Sequence, residues 1–420
     1  MLRNCVAAIV LISALINTPA TRAQELTVKA GLGYDLVSQE FFFNDSLITD
    51  TLDTELFLKT TYLDNFKGQF SLAYSPWADD RLRLRAGYEH GRDDIRARFN
   101  SEWRIEMGRT RLDLDAELDW RQSRESDEQP GDSYLYGRAR AKLTQPVNNS
   151  LSLWARIDAD AVDFDSVSSY NYDHFRLGGK AGIYKTLSDF SVLDANLFGM
   201  VRQVPDSTEL DYVSLGVEGS LFLFYARGQI DGLVRLENRD YKLPGGQSDY
   251  FRADLDARHK VTVAERIFLG QELRFESAIF SAEDIINPNY NRIALTAVAG
   301  YETLDLSFAA GPRLEWLAER DNEFSAGQDH FELGLKTTLD YVKPGFLFGS
   351  VESVVGHRSL GTEDELQSDF TFERLNLIAD CTLAAGLSLN VLFSAEWEWH
   401  DQADENNQIY LLSTGLSYTF

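Results

Sequence analysis

The chain has 420 residues, 66 of them acidic against 40 basic, for a net charge of −26. Acidity on that scale argues against a nucleic-acid partner, which calls for a clustered basic surface. The 2 cysteines, Cys5 and Cys381, are too few for a disulfide framework.

The chain opens with Arg3, then an apolar run over 5–16, then small residues at Thr21 and Ala23. A charged start, an apolar stretch of about 7–15 residues and a small-residue exit predict a cleaved secretory signal peptide over 1–23. Cys381 then has no partner for an intrachain disulfide. No later run approaches the roughly 18 consecutive apolar residues of a membrane-crossing helix. Residues 24–420 are expected to form one domain.

From Glu25 onward the hydrophobic period is two. Leu26, Val28, Ala30, Leu32 and Tyr34 alternate with Thr27, Lys29, Gly31, Gly33 and Asp35. The same alternation returns at Leu82–Tyr88, Leu112–Trp120, 151–161, 253–257, 331–335 and 387–397. Strict alternation marks a strand with two unlike faces. The runs last about ten to thirteen residues, where soluble strands average about 5–6 and membrane strands need about 9–11.

Breaks between strands come in two sizes. Short ones fall at 108–109, 147–150, 186–189, 342–345 and 383–386. Long polar ones fall at 124–133, 164–174, 239–249, 279–290, 318–329, 359–369 and 401–407, with a smaller member at 205–209. From Arg124 the two kinds alternate strictly. Sixteen strands are expected from Arg111 onward and five between Glu25 and Gly108. An odd total of that kind does not close an up-and-down barrel, because single-chain bacterial barrels have even strand numbers. Either a ragged strand over 40–48 makes 22, the preferred count, or Glu25–Asp35 lies outside the sheet and leaves 20.

The chain ends Gln408-Ile-Tyr-Leu-Leu-Ser-Thr-Gly-Leu-Ser-Tyr-Thr-Phe420, with Leu416, Tyr418 and Phe420 on one phase. A terminal aromatic behind alternating apolar residues resembles the closing strand of Gram-negative outer-membrane β-barrel proteins. In that class it is the signal read by the barrel assembly machinery. The resemblance implies an all-β fold: a single transmembrane antiparallel up-and-down barrel of 20–22 strands, with short periplasmic turns and longer external loops. It also implies outer-membrane lipid as the surroundings. TonB-dependent receptors use barrels of similar size but place a plug domain first, and alternation from Leu26 leaves no room for one.

With the apolar phase assigned to lipid, Tyr34, Tyr62, Tyr88, Trp103, Trp120, Trp316, Tyr341, Trp397, Trp399, Tyr410 and Tyr418 fit interfacial girdles. The other phase is charged almost throughout and nearly neutral overall, so the acidic surplus belongs to loops and strand ends. Its clearest run is a lumen-facing ladder of Arg81, Arg83, Arg85, Arg98, Arg104, Asp113, Asp115, Glu117, Asp119, Arg138 and Arg140. If Gly108-Arg109 is a two-residue type II′ turn, Arg104 faces Asp113, Glu106 faces Arg111 and Arg98 faces Asp119. Two like-charge pairs, Glu102 with Asp115 and Arg96 with Arg121, count against that register.

No zinc signature, nucleophile elbow or phosphate loop is present among these residues. His174 beside Asp173 and His400 beside Asp401 are the nearest approach to a hydrolase pair, and a solvated strand-end histidine is the commoner meaning. The acids Asp158, Asp160, Asp163 and Asp165, and Glu363 with Glu365, lack calcium-loop spacing. They are expected to form a rim that attracts divalent cations loosely. No cofactor or catalytic site is expected. The sequence favours a porin-like channel for small polar solutes. A non-conducting barrel for adhesion, surface structure or polymer export stands second, with Leu36–Asp53 as a constriction. A hydrolase stands third.

Overall fold

The computed structural model describes residues 25–44, 56–75, 81–91, 94–123, 133–165, 172–242, 248–281, 289–319, 329–360, 368–400 and 406–419, with backbone only at 25, 35–44 and 56–66. The expected signal peptide and Phe420 lie outside them.

The described residues form twenty strands. The first ten are β1 (Glu25–Asn44), β2 (Leu56–Ser75), β3 (Leu82–Gly91), β4 (Asp94–Met107), β5 (Thr110–Ser123), β6 (Tyr134–Pro146), β7 (Leu151–Phe164), β8 (His174–Ser188), β9 (Ser191–Gln203) and β10 (Tyr212–Tyr225). The second ten are β11 (Gly228–Tyr241), β12 (Tyr250–Ala264), β13 (Ile267–Phe280), β14 (Tyr290–Glu302), β15 (Leu306–Glu319), β16 (His330–Lys343), β17 (Leu347–Leu360), β18 (Phe370–Ala384), β19 (Leu387–His400) and β20 (Asn407–Thr419). Every strand pairs antiparallel with its chain neighbours, and β1 pairs with β20 from Lys29↔Thr419 to Glu40↔Gln408, so the sheet closes on itself.

Local chemistry explains the tight ends. Gly108 has φ +67°, the left-handed value that the first central position of a type II′ turn requires. Met107 therefore pairs with Thr110, and Arg104 stands directly across from Asp113. The expected register holds.

The strand count needs correction. The sixteen strands from β5 onward are as expected, but four precede them, not five or six. Glu25–Asp35 belongs to the barrel, pairing with both β2 and β20. The ragged segment is no separate strand: Leu36–Asn44 continues β1, and 45–53 lies outside the described residues. Asp64-Asn65 and Lys67-Gly68 have the composition of a turn. Their backbone nonetheless stays in the ladder, opposite Leu36, Asp35, Gly33 and Leu32. A barrel needs an even count, and here two long strands supply it instead of three short ones.

The wall is uneven where those long strands sit. β2 pairs with β1 along its whole length but with the 10-residue β3 only from Lys67↔Gly91 to Tyr74↔Leu84. Residues 56–66 therefore extend past the top of β3.

The sides of the wall are inverted relative to a soluble protein. On β16, Phe331, Leu333, Leu335, Leu339 and Tyr341 are exposed, while Glu332 on the other phase is 1% exposed. Exposed aromatics on the same outer phase include Tyr88, Trp103, Trp120, Trp316, Tyr341, Trp399 and Tyr418, seven of the expected girdle members. Which face is concave follows from one contact. Lys336 of β16 meets Glu272 of β13 at 3.3 Å, with β14 and β15 between them. Three strand spacings are about 14 Å along a sheet, so the two side chains can meet only across the inside of the curve. The charged phase faces the lumen.

Candidate functional site in the lumen wall

The expected ladder follows β3 to β7. Arg85 meets Glu102 at 3.3 Å, Arg98 meets Asp119 at 3.6 Å, and Arg104 meets Asp113 at 3.4 Å. Arg138 reaches Glu117 at 2.8 Å and Asp115 at 3.6 Å, and Arg140 reaches Asp158 at 2.8 Å. Arg83 stands across from Glu102, and Arg81 accepts the Arg104 N–H at its carbonyl at 2.7 Å.

The two like-charge pairs do stand opposite each other, and each charge finds an opposite partner elsewhere. Glu102 turns to Arg85 on β3 and Asp115 to Arg138 on β6. Arg96 takes Asp119, and Arg121 takes Asp94 at 3.0 Å, both diagonally within the same hairpin. A test of directly opposed pairs misses this, because diagonal and next-strand partners are also in reach.

Two further clusters were not singled out in the sequence. On β14 to β19, the buried Glu315 and Glu332 are held by Arg292, Arg313, Arg358 and Arg374. Arg374 also holds Glu396 at 2.6 Å. On β10 and β11, Ser214 and Arg239 bind Glu237 at 2.8 and 2.9 Å, and Arg235 binds its second oxygen at 2.8 Å. A buried carboxylate is costly unless paired and hydrogen-bonded, and each of these meets at least two donors.

Aromatic rings lie flat in the same wall. Phe198 rests on Gly216, where a Cβ would overlap both that ring and the Leu236 carbonyl. The guanidinium of Arg235 lies 5.0 Å from the Phe198 centroid, and the ammonium of Lys180 lies 5.5 Å from it. Such cation–π contacts hold charged heads against the wall and out of the centre.

The external mouth is built on one repeated device. The N–H at the end of each rising strand from β5 onward donates to a side chain just before the next falling strand: Ser123 to Ser133 (3.0 Å), Phe164 to Asp173 (2.7 Å), Val204 to Asp211 (2.6 Å) and Tyr241 to Asp249 (2.6 Å). The series continues with Phe280 to Asn289 (2.5 Å), Glu319 to Asp329, Leu360 to Asp369 (2.8 Å) and His400 to Asn406 (2.8 Å). An inward aromatic usually follows the acceptor: Tyr134, His174, Tyr212, Tyr250, Tyr290, His330 and Phe370. Beside them on the same phase stand Arg202, Arg239 and Arg358, directly across from Tyr212, Tyr250 and Phe370, and Arg176, Arg252 and Arg292, two residues on from His174, Tyr250 and Tyr290. The sequence carries a signal for this collar, an Asp, Asn or Ser before an aromatic roughly every 40 residues.

Of the two histidine–aspartate pairs weighed, that of His174 with Asp173 is not assembled, and that of His400 with Asp401 lies partly outside the described residues. Asp173 is engaged by the Phe164 N–H, and the acid nearest His174 Nε2 is Asp160 at 3.9 Å. His400 lies 3.8 Å from Glu398 and 4.5 Å, ring to ring, from Phe370, while Asp401 is outside the described residues. Both histidines are largely covered by wall residues and not freely solvated. Asp158 and Asp160 are likewise not a loop rim. They lie in the wall, bound by Arg140 and Arg156 and by Arg176. Glu363 and Glu365 fall outside the described residues.

No protein-family model matches the chain. No curated protein matches it in sequence. Solved structures do match in fold. A BenF-like porin from Pseudomonas fluorescens Pf-5 superposes with a TM-score of 0.52 at 11% identity, covering 94% of this chain and 99% of that one. OccAB4 of Acinetobacter baumannii gives 0.51 at 12%, covering 96% and 100%. The FrpB iron transporter from Neisseria meningitidis gives 0.56 at 10%, covering 94% and 81%. The fold is that of Gram-negative outer-membrane barrels.

Proposed function

We propose that this barrel sits in the bacterial outer membrane and acts as a porin-like channel, letting small polar solutes diffuse through its charged lumen. The observation that carries this reading is the inversion of the wall. Apolar and aromatic side chains cover the convex face, and ion-paired side chains line the concave one. A barrel this wide holds water unless loops or side chains fill it. The lumen charges are bound to neighbours in the wall, so they offer a polar surface without a strong net charge. Passage, not hydrolysis, is the chemistry such a surface suits.

Outer-membrane lipid meets the convex face, with the girdle aromatics at its edges. Leu416 and Tyr418, on the outer phase of β20, form with Phe420 the recognition strand for the assembly machinery. Acidic external loops attract divalent cations loosely. The test is planar-bilayer recording of the purified protein. Stepwise ohmic currents are expected, and a correctly folded barrel that gives none overturns the channel reading in favour of a closed structural barrel.

A further inference from the structure

Five of these six arginines beside the aromatic collar are neutralised in place. Arg176 meets Asp160 at 2.9 Å, Arg239 meets Glu237 at 2.9 Å, and Arg252 meets Glu276 at 2.9 Å. Arg292 meets Glu315 at 2.6 Å, and Arg358 meets Glu332 at 2.9 Å. Arg202 has no carboxylate within ion-pair distance among the described residues. Its strand neighbours are Arg176 on β8 and Tyr212 on β10. The Tyr212 ring lies beside it, its centroid 6.0 Å from the guanidinium carbon. Its Nε is enclosed and makes no hydrogen bond. The reason is visible by comparison with β11. There Glu237 stands two residues before Arg239 on the same rising face, whereas on β9 the equivalent position is Met200.

We propose that Arg202 is an oxyanion-docking residue at the external mouth of the lumen, taking the carboxylate or phosphate of small organic anions as they enter. This rests on the channel reading and gives it a substrate class. A guanidinium offers a planar fork of N–H donors that matches an oxyanion in two parallel hydrogen bonds. With Nε enclosed, the missing wall carboxylate leaves the terminal N–H groups of that fork for a solute, and the Tyr212 ring lies against the guanidinium from one side.

The test is single-channel recording in chloride, with acetate in one arm and inorganic phosphate in the other, each added to the external side. Both anions are expected to reduce the current saturably in the wild type. Arg202→Gln should raise the half-blocking concentration about tenfold, the worth of one charge-assisted pair. Met200→Glu keeps Arg202 but supplies the missing wall carboxylate, and should weaken block to a similar degree. Arg202→Lys should restore part of it. Block of acetate alone assigns carboxylates, and block by both assigns oxyanions in general. A conducting wild type that neither anion blocks, or variants that block like wild type, overturn the proposal while the channel stands. Absence of any conductance overturns the channel reading itself, and the docking role with it.

Discussion

Asp369 shows how much one side chain does at the mouth of the barrel. The Leu360 N–H donates to its Oδ1 at 2.8 Å and the Ser359 hydroxyl to its Oδ2 at 3.0 Å. The backbone bond from Leu360, followed by the Ser359 hydroxyl and nearby His357, holds this carboxyl below its ordinary value of 3.8. A folded-state value that is depressed stabilises the neck above that ordinary value and loses the contribution as pH falls through the folded one. The protection of the Leu360 amide, relative to its intrinsic exchange rate, should therefore be full at neutral pH and fall only below about pH 4. Asp369→Asn keeps an acceptor without a titrating group, so it should remove the acid-side loss of protection. An unchanged pH profile in that variant would contradict the assignment. Gly216 makes the opposite kind of statement, since its lack of a side chain is what matters. Gly216→Val would push Phe198 off the wall and strike the Leu236 carbonyl. Overpacking of that kind costs on the order of 1–3 kcal/mol, readable as a lower midpoint of urea unfolding in lipid vesicles.

At the scale of the hairpin, the acceptor before each falling strand fixes where a long external loop leaves the wall. Each neck draws on its own partners: Glu319 for Asp329, and Leu360 with Ser359 for Asp369. Asp329→Ala should cost about 1.5–3 kcal/mol of local stability, the worth of a hydrogen bond to a charged group. The loss should appear as faster exchange at the Glu319 amide with the Leu360 amide unaffected. Joined with Asp369→Ala, the two losses should add, because no partner is shared. Strong coupling would mean that the necks move as one ring. The hairpins were legible in the sequence from Thr110 onward because alternation of period two survives wherever one face meets lipid. The Arg104–Asp113 register was legible because Gly108 fixes the turn. The first two strands were not, since Asp64-Asn65 and Lys67-Gly68 carry turn chemistry inside an unbroken ladder. The lumen clusters were hidden for another reason. Glu315 and Glu332 draw arginines from several strands, and pairing across a curved sheet cannot be read from any single hairpin.

Over the whole molecule, the lumen's near-neutrality depends on cations that each serve several acids. Lys336 reaches Glu272 at 3.3 Å and Glu352 at 3.2 Å, joining β13 to β17 across the concave surface. Lys336→Gln leaves two carboxylates without it. At an effective dielectric near 20 a charge pair at contact distance is worth a few kcal/mol, most of it screened in a wet lumen. The cation-to-anion permeability ratio should therefore rise severalfold, read as a shifted reversal potential in a potassium chloride gradient. A ratio equal to wild type would place Lys336 outside the conduction path.

The seam between β1 and β20 also fixes an order of events in time. Every other ladder joins strands adjacent in the chain, but Lys29↔Thr419 joins residues almost the full chain apart. Contacts of such long sequence separation form late, because the loop entropy precedes any reward. Until β20 is in place, the growing sheet carries two open edges, and closure becomes the slow step. A circular permutant that links the native ends and opens the chain at the Ala226-Arg227 turn would convert the seam into an ordinary hairpin and move the long-range closure between β10 and β11. Its late edge would then be Gly228 and Tyr225, sealed by fourteen ladder pairs where the native seam has twelve. The native seam and the new one should therefore close at comparable rates, since closure time follows the span of chain and not the strands that meet. A permutant that assembles much more slowly in lipid vesicles would show instead that β1 and β20 are specialised for finishing the wall.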